Sequence, residues 1–552
     1  MISPTLHTAR RVKTPLPDRE VDVAIVGAGL GGITAGAYLA QHGMSVAIFD
    51  GHYVAGGCAT MFERGKKDRR YCFDVGLHYI GDCGPSGGIP TVLGGLGVEI
   101  DYVPMDQDGF DTLVFPDFEF QIPANKKLYR DRLVAMFPKE KKGIDRYMRF
   151  LNEVALIAAR MERNNGRMDK GAFVDILLRG RLLARYQNAT LETFLNSCTR
   201  DERLRAVLCG QHGDYGLPPS RVSALLHAGL ANHYFEGAYY PKGGGQVIAD
   251  RICDVIEGHG GTIHLRHLVE EILVENGRTV GVRVKPPKGD AVHVRARCVL
   301  SNADLKRTML DLIDREHVPS EWITRAEGFE MGGAIYMTYL SVTADMKAKG
   351  MRATNYWQFD GYDVEGYYAD SANSGHPVPR GCYITSTSMK DPDSPGHAPD
   401  GEFNIEIMTL VPGQASAWGM TDKAAIDSVK YRRDDAYREL KQRIEDNMVG
   451  RLEGLFPGTA ETIVFRESAT PITHTRYTRA SDGTGYGLAA TPEQFLKKRP
   501  GYRGPIPGLY FAGASTRAGH GVVGAMTSGK HAALKVAKDF GRPLAVDHRH
   551  AA

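Results

Sequence analysis

Three glycines and one carboxylate are the first residues in this chain whose types and spacing could do chemistry. Gly27, Gly29 and Gly32 stand in Gly-x-Gly-x-x-Gly order, with Leu30 among them, and Asp50 follows at about the twenty-residue distance that a ribose-binding acid requires. Gly27 permits a tight turn. Gly29 lacks the Cβ that would hold a pyrophosphate off the backbone, and Gly32 lets a helix close on a strand. Amide groups at the start of that helix, with the positive end of its dipole, hold phosphate charge. The pattern predicts a dinucleotide site.

The elements that must position these residues lie on either side of them. Val21, Val23, Ile25 and Val26 form a short β-branched run, expected to be a buried strand. Ile33 to Gln41 is rich in Ala and Leu and favours helix. Ser45 to Phe49 is a second apolar strand ending on Asp50. A Gly56-Gly57 pair just beyond the acid favours FAD, since a simple NAD domain has no need of glycines there.

Two later segments point to the same cofactor. After Gly260-Gly261 the chain alternates as strands with a turn at Asn276-Gly277, and Val269 is expected at the adenine edge. Gly508 to Ala512 reads as a strand, followed by a turn holding Gly513 and His520 and a helix from about Val522-Val523. The positive end of that helix suits the flavin O2/N1 edge, where negative charge gathers on reduction. Three glycine-rich segments far apart in sequence thus converge on FAD.

The 552 residues are too many for one ordinary core, and two intimately packed domains are expected. Net charge is only +3 and no basic stripe interleaves with aromatics, so nucleic acid is not an expected partner. The eight cysteines form no C-x-x-C and no zinc spacing; no metal is expected, and reduced packing thiols of an intracellular protein are. Residues 1–20 have no apolar h-region and read as a flexible arm, and no run is long enough to span a membrane.

The remaining elements follow in order. Tyr71 to Tyr79 is expected as a return strand carrying His78 and Tyr79. Asp111 to Pro123 has the pattern of an antiparallel hairpin in a second domain. Glu140 to Arg160 and Ser220 to Asn232 are expected helices. Ala172 to Tyr186 reads as a lid helix, with a bilayer-surface helix as the alternative, because Arg179, Arg181 and Arg185 intersperse its apolar face. Tyr239 and Tyr240 precede a glycine turn, Gly243 to Gly245, that leads into a helix. Ser371 to Asp400 is expected as a polar loop, Ala424 to Met448 as one long helix, and Ala469 to Leu488 as a loop dense in polar aromatics.

With those segments on the page, the chain resembles the flavin oxidoreductases that include phytoene desaturases, carotenoid isomerases and retinol saturase. The resemblance covers nearly the whole length, and FDVGLHYIGD, GDYGLPPS and YYPKGGG point to the saturase and isomerase side. The chain departs from the pattern in having Asp50 where the family more often has Glu. The implied fold is α/β: a Rossmann-like FAD-binding domain (21–110, 240–305 and 500–552) with a second, mixed α+β substrate domain (111–239 and 306–499). The implied reaction is hydride exchange at a carbon–carbon unit of a long apolar substrate, a retinoid, carotenoid or other lipid, as a saturase, desaturase or isomerase.

Proton transfer to the neighbouring carbon requires a group near its working pKa within hydrogen-bond reach. The candidates are His78, Tyr79, Tyr215, Tyr239, His474, Tyr477 and His520, with Tyr239 and His78 foremost because their motifs should border the flavin. An amine-oxidase-like or oxygen-using flavoenzyme, and a non-catalytic carrier that keeps FAD as a relic, are the competing readings. No second Gly-x-Gly-x-x-Gly follows a strand, so direct nicotinamide use is not indicated and the electron partner is unidentified. The expected location is cytoplasmic, with peripheral membrane contact inferred from substrate solubility.

Overall fold

In the computed structural model, the strand Val21–Val26 sits at the centre of a parallel sheet, flanked by Val46–Asp50 and Val292–Ser301. Thr262–Leu265 extends the sheet on one side and Leu509–Phe511 pairs with Val292–Ser301 on the other, both parallel. The structure describes residue 8 and residues 15–544, apart from 67–68, 85–86, 164–170, 172–175, 177, 373–376, 421–425, 427–428 and 543. Every residue of Val23–Val26 is buried, as a strand covered on both faces requires. Helix Leu30–Gln41 packs on one face between Gln246–Gly258 and Gly521–Asp539. Its contact with the last helix is close: a Cβ on Gly529 would stand 2.2 Å from the Gly31 carbonyl oxygen.

The hairpin Leu268–Glu275 and Arg278–Lys285 adds antiparallel strands to this sheet, turning at Asn276 and Gly277 as expected. Both turn residues have positive φ (48° and 72°), which suits the right-handed strand twist.

A second sheet of seven strands runs in the order Ile463–Ala469, Ala334–Val342, Phe403–Val411, Gly381–Thr385, Asn355–Phe359, Asp111–Val114, Glu119–Ile122. The expected hairpin at Asp111 to Pro123 thus forms the edge of this sheet. Helices Lys141–Arg163 and Ala224–Tyr234 pack together beside it.

Several boundaries differ from expectation. The return strand ends at Asp74, and Val75 to Tyr79 is a loop. The long charged helix is Asp435–Leu455, starting where the Asp434 side chain accepts the Tyr437 amide at 2.8 Å; 421–425 and 427–428 lie outside the described residues. The polar stretch 371–400 holds a fully buried strand, Gly381–Thr385, and a short helix, Thr387–Lys390. Burial against neighbouring strands overrides the loop-like composition there. Of the lid segment, 172–175 and 177 lie outside the described residues. Its end is helix Arg181–Tyr186, whose Leu182 and Leu183 amides donate to the buried Glu153 carboxylate at 2.8 and 2.9 Å. Of the arm, Thr8 bridges to Val54. No described helix is long and apolar enough to cross a membrane.

Candidate active site and cofactor cleft

The glycine turn and the second glycine pair face each other across a narrow slot. Gly29 and Gly56 form a parallel bridge, and the Gly56 amide donates to Ala28 O at 2.8 Å. Asp50 is fixed at the slot by two backbone donors: Ala28 N–H reaches Oδ2 and His52 N–H reaches Oδ1, each at 2.7 Å. Each oxygen keeps a lone pair for a ribose hydroxyl, so the shorter acid still fits the role. A Cβ on Gly29 would lie 2.9 Å from Asn302 Nδ2, and one on Gly57 would lie 3.0 Å from Gly29 Cα. Backbone can therefore meet a ligand here only because these positions are glycine. Asn302 was not singled out from sequence; it follows the Val292–Ser301 strand and also walls Gly513, whose added Cβ would lie 2.8 Å from Asn302 Oδ1.

One cavity of about 2810 Å³ runs from this slot into the second half of the chain. Gly27, Gly29, Leu30, Asp50, Gly56, Gly57, His78, Val269, Gly513, His520, Val522 and Val523 all line it. Gly32 is behind the wall; its added Cβ would meet Gly27 O at 2.1 Å, so it serves helix–strand packing. The volume exceeds the roughly 300–1,000 Å³ of an ordinary ligand pocket and accommodates a dinucleotide together with a second long molecule.

His520 occupies the N-cap position of helix Gly521–Asp539. Burial, with Arg499 nearby, pushes its pKa down to about 3, so its imidazole is neutral. The Tyr486 ring stands edge-on to it at 5.6 Å. Arg499, 1% exposed, donates to the carbonyls of Gln494, Ala514 and Leu488, which fixes the Gly513 turn. It is another residue the sequence reading passed over.

His78 joins a buried polar cluster. Its Nδ1–H donates to Glu406 Oε2 at 2.7 Å, while Nε2 is buried without a hydrogen-bond partner. Glu406 Oε1 accepts the Asp74 amide at 2.8 Å, Asp74 accepts Gly245 N–H at 3.1 Å, and the Tyr240 hydroxyl donates to Asp74. Lys390 Nζ donates to the His78 carbonyl; burial pulls its pKa down to about 8 against the pull of Glu406 and Asp74. The ligand atoms of Asp74, His78 and Glu406 lie within 4.8 Å of one another. With a donor on each carboxylate oxygen and the Lys390 charge nearby, they form a closed polar network. Glu406 and Lys390 lie hundreds of residues from His78, which is why no local motif revealed them.

The structure separates the other candidates. Tyr239 lies on strand Ala238–Pro241, with its ring against Gly237 and 6.5 Å from that of Tyr102, and does not line the cavity. Tyr215 is also behind the wall, its hydroxyl 3.3 Å from His227 Nδ1. Both expectations treated proximity in sequence to a glycine turn as proximity to the ligand. His474 and Tyr477 line the cavity from a helix, Pro471–Thr478, where a loop was expected. His474 Nε2–H donates to Thr484 O at 2.9 Å, and burial lowers its pKa. Tyr477 stands edge-on to His52 at 4.9 Å, two residues past Asp50. That places Tyr477 beside the Asp50 end of the slot. Tyr79 stacks on Tyr234 at 4.6 Å and lines the cavity with Tyr234, Tyr383 and Trp357.

An apolar arm of the cavity runs between the helices beside the second sheet. Leu225, Leu226, Gly229, Leu230 and His233 present one face of helix Ala224–Tyr234 to it, opposite Val154, Ile157 and Ala158 of helix Lys141–Arg163. Spacings of one, four and eight residues put such positions on a single helical face.

A doubly covered parallel sheet with a glycine slot for a dinucleotide, joined to a second sheet across a shared cavity, defines an FAD-dependent oxidoreductase. The chain belongs to the family described as flavin containing amine oxidoreductase, which matches residues 30–537. It is 28% identical over 526 residues to all-trans-retinol 13,14-reductase of Danio rerio, covering 90% of this chain and 82% of that one. It is 25% identical over 548 residues to the chloroplastic prolycopene isomerase of Daucus carota, covering 95% and 81%. Among solved structures, putrescine oxidase bound to putrescine shares the fold with a TM-score of 0.59 at 14% identity, over 95% of this chain and all of that one (100%).

Proposed function

We propose that this enzyme works on a carbon–carbon double bond of a long apolar polyene or related lipid, most simply as a reductase or saturase. The observation that carries this reading is that apolar residues of helices Lys141–Arg163 and Ala224–Tyr234 line the same cavity as Tyr79, Tyr234 and His520. The names of the retinol reductase and prolycopene isomerase relatives support the same substrate class. The reading divides the chain into an FAD half (21–110, 240–305, 500–552) and a substrate half (111–239, 306–499), with the reaction at their seam.

FAD, when bound, supplies hydride exchange with one carbon of the double bond. Gly27, Gly29, Gly56, Gly57 and Asp50 would hold it by backbone and carboxylate, and Val269 would border its adenine. The positive end of helix Gly521–Asp539 would favour charge on its reduced ring. His78, held by Glu406 through Nδ1, lines the cavity with its ring 6.1 Å from that of Tyr383. Tyr79, Tyr234, Tyr383 and Trp357 exclude water from the reacting carbons. Leu178, 70% exposed, stands close in sequence to the cavity-lining Ile176 and Leu183, and we read this segment as the side that meets a membrane surface when substrate is collected.

The test is anaerobic mixing of the dithionite-reduced enzyme with retinol, a carotenoid and an unsaturated acyl lipid, following flavin absorbance and product mass. Flavin reoxidation with two mass units gained is the expected result. Unchanged mass with altered retention would make the enzyme an isomerase, and product formation only from oxidised enzyme, with two units lost, a desaturase. Silence with all three substrates in both redox states overturns the polyene reading. Flotation with liposomes tests the membrane contact, which fails if all the protein stays at the bottom.

A further inference from the structure

The cavity holds a second carboxyl that no motif marks. Asp214 ends the short turn His212–Asp214 and lines the same cavity as His520. The Asp214 backbone lies near the ring of His520, which heads helix Gly521–Asp539. Oδ2 of Asp214 lies 2.7 Å from the Tyr79 hydroxyl, and that hydroxyl lies 3.2 Å from Asp111 Oδ2.

Resting on the polyene reading above, we propose that the Asp214 carboxyl, linked through Tyr79 to Asp111, delivers the proton to the carbon next to the one that accepts the hydride.

Proton counting along the chain of oxygens supports the assignment. A phenol carries one proton and donates to one acceptor at a time, so the second short contact needs a proton of its own. Asp111, fully buried, is the partner with more protein donors: Asn355 Nδ2 donates to Oδ1 at 2.8 Å and Gln211 Nε2 to Oδ2 at 2.7 Å. Tyr79 therefore donates to an ionised Asp111, and a neutral Asp214 donates to the Tyr79 oxygen. Burial and the charge of Asp111 hold the Asp214 carboxyl well above the usual carboxylate range, whereas the amide donors restrain Asp111 to about 6. The groups facing the pair are the phenols Tyr234, Tyr383, Tyr215 and Tyr486, neutral His520, and Lys390, whose charge reaches Asp111.

The step balances. The π bond opens, two electrons and a hydrogen nucleus arrive as hydride from the reduced flavin, and the Asp214 O–H breaks to form the second C–H bond. Asp214 is left as a carboxylate, shares the Tyr79 proton, and is reprotonated from solvent as product leaves. In the desaturating direction the same carboxylate takes the proton.

The test compares wild type with D214N and D111N in flavin-loaded enzyme. In D2O, reduced wild type is expected to place one solvent deuterium in the product, and D214N to lose at least about 100-fold in rate with flavin content unchanged. Infrared difference spectra should show a protonated-carboxyl band in wild type that D214N lacks. D111N, which removes a neighbouring negative charge, is expected to move the alkaline limb of the pH profile to lower pH. A D214N enzyme with wild-type rate and pH profile, or a wild type without the carboxyl band, overturns the assignment. Should D214N lose its flavin, D214E carries the test; an unchanged rate and alkaline limb in D214E overturns it equally. A wild type inert toward every polyene sinks the substrate reading, and the carboxyl band then decides the protonation of Asp214 by itself.

Discussion

Glu406 Oε2 lies 2.7 Å from His78 Nδ1, and the two residues come from different parts of the architecture. Glu406 is on Phe403–Val411 of the second sheet; His78 is in the loop after Arg69–Asp74, facing the cofactor slot. The pair ties the second sheet to the loop that lines the glycine slot's cavity. Lys390 is the cation that keeps Glu406 and Asp74 tolerable in the interior, since burial already raises Asp74 to about 6. K390M leaves those carboxylates uncompensated and is expected to cost about 3–5 kcal/mol in urea unfolding. K390M/E406Q, which removes a charge of each sign, should recover most of the loss. Equal destabilisation in both variants would refute the network.

His227 lies between Tyr147 (2.8 Å from Nε2) and Tyr215 (3.3 Å from Nδ1), and burial lowers its pKa from 6.5 to about 4. The folded pKa lies below the unfolded one, so the unfolded chain takes up the proton first as pH falls. Stability is full above 6.5, declines between 6.5 and about 4, and is lower by up to about 3 kcal/mol below that. His233, also lowered to about 4, acts in the same direction. H227Q should flatten the acid side of a thermal-denaturation series relative to wild type.

Gly229 faces the apolar arm, and an added Cβ there meets no atom within 4 Å. A larger side chain therefore enters the arm without disturbing the packing. G229F is expected to raise stability by no more than about 0.5 kcal/mol, because glycine is a poorer helix former than phenylalanine. The same variant should raise the KM for long polyenes at least about tenfold while flavin content stays unchanged. Unaltered handling of long substrates would exclude this arm as their route.

Two glycines of the turn should fail in different ways. A Cβ on Gly29 would press on the movable end of Asn302 and narrow the slot, so G29A is expected to fold but retain at least tenfold less flavin. A Cβ on Gly32 would meet the Gly27 carbonyl oxygen at 2.1 Å, a backbone atom that cannot give way, so G32A should not accumulate as folded protein. Flavin absorbance and circular dichroism separate the outcomes.

The cofactor side was largely legible in sequence because its signals are local: an apolar strand, a glycine turn, a helix and an acid within one short stretch. The Asn276-Gly277 turn was legible for the same reason. Helix Pro471–Thr478 was missed although Thr470 caps it, accepting from Thr473 N, and Pro471 stands at its first position. Those are ordinary start signals. Strand Gly381–Thr385 was hidden because its identity depends on the strands that cover it. Glu406, Lys390, Arg499 and the Asp111–Tyr79–Asp214 chain belong to contacts between distant segments, which no periodicity records.

The close seat of Gly529 on Gly31 has a bearing on the protein's birth. Strand Leu509–Phe511 and helix Gly521–Asp539 complete a cleft whose glycine turn was translated hundreds of residues earlier. A nascent chain holds only an open half of that cleft until those residues have emerged. Flavin capture is thus expected to wait for residues 509–539, and protein made in cells short of riboflavin should be the more protease-sensitive.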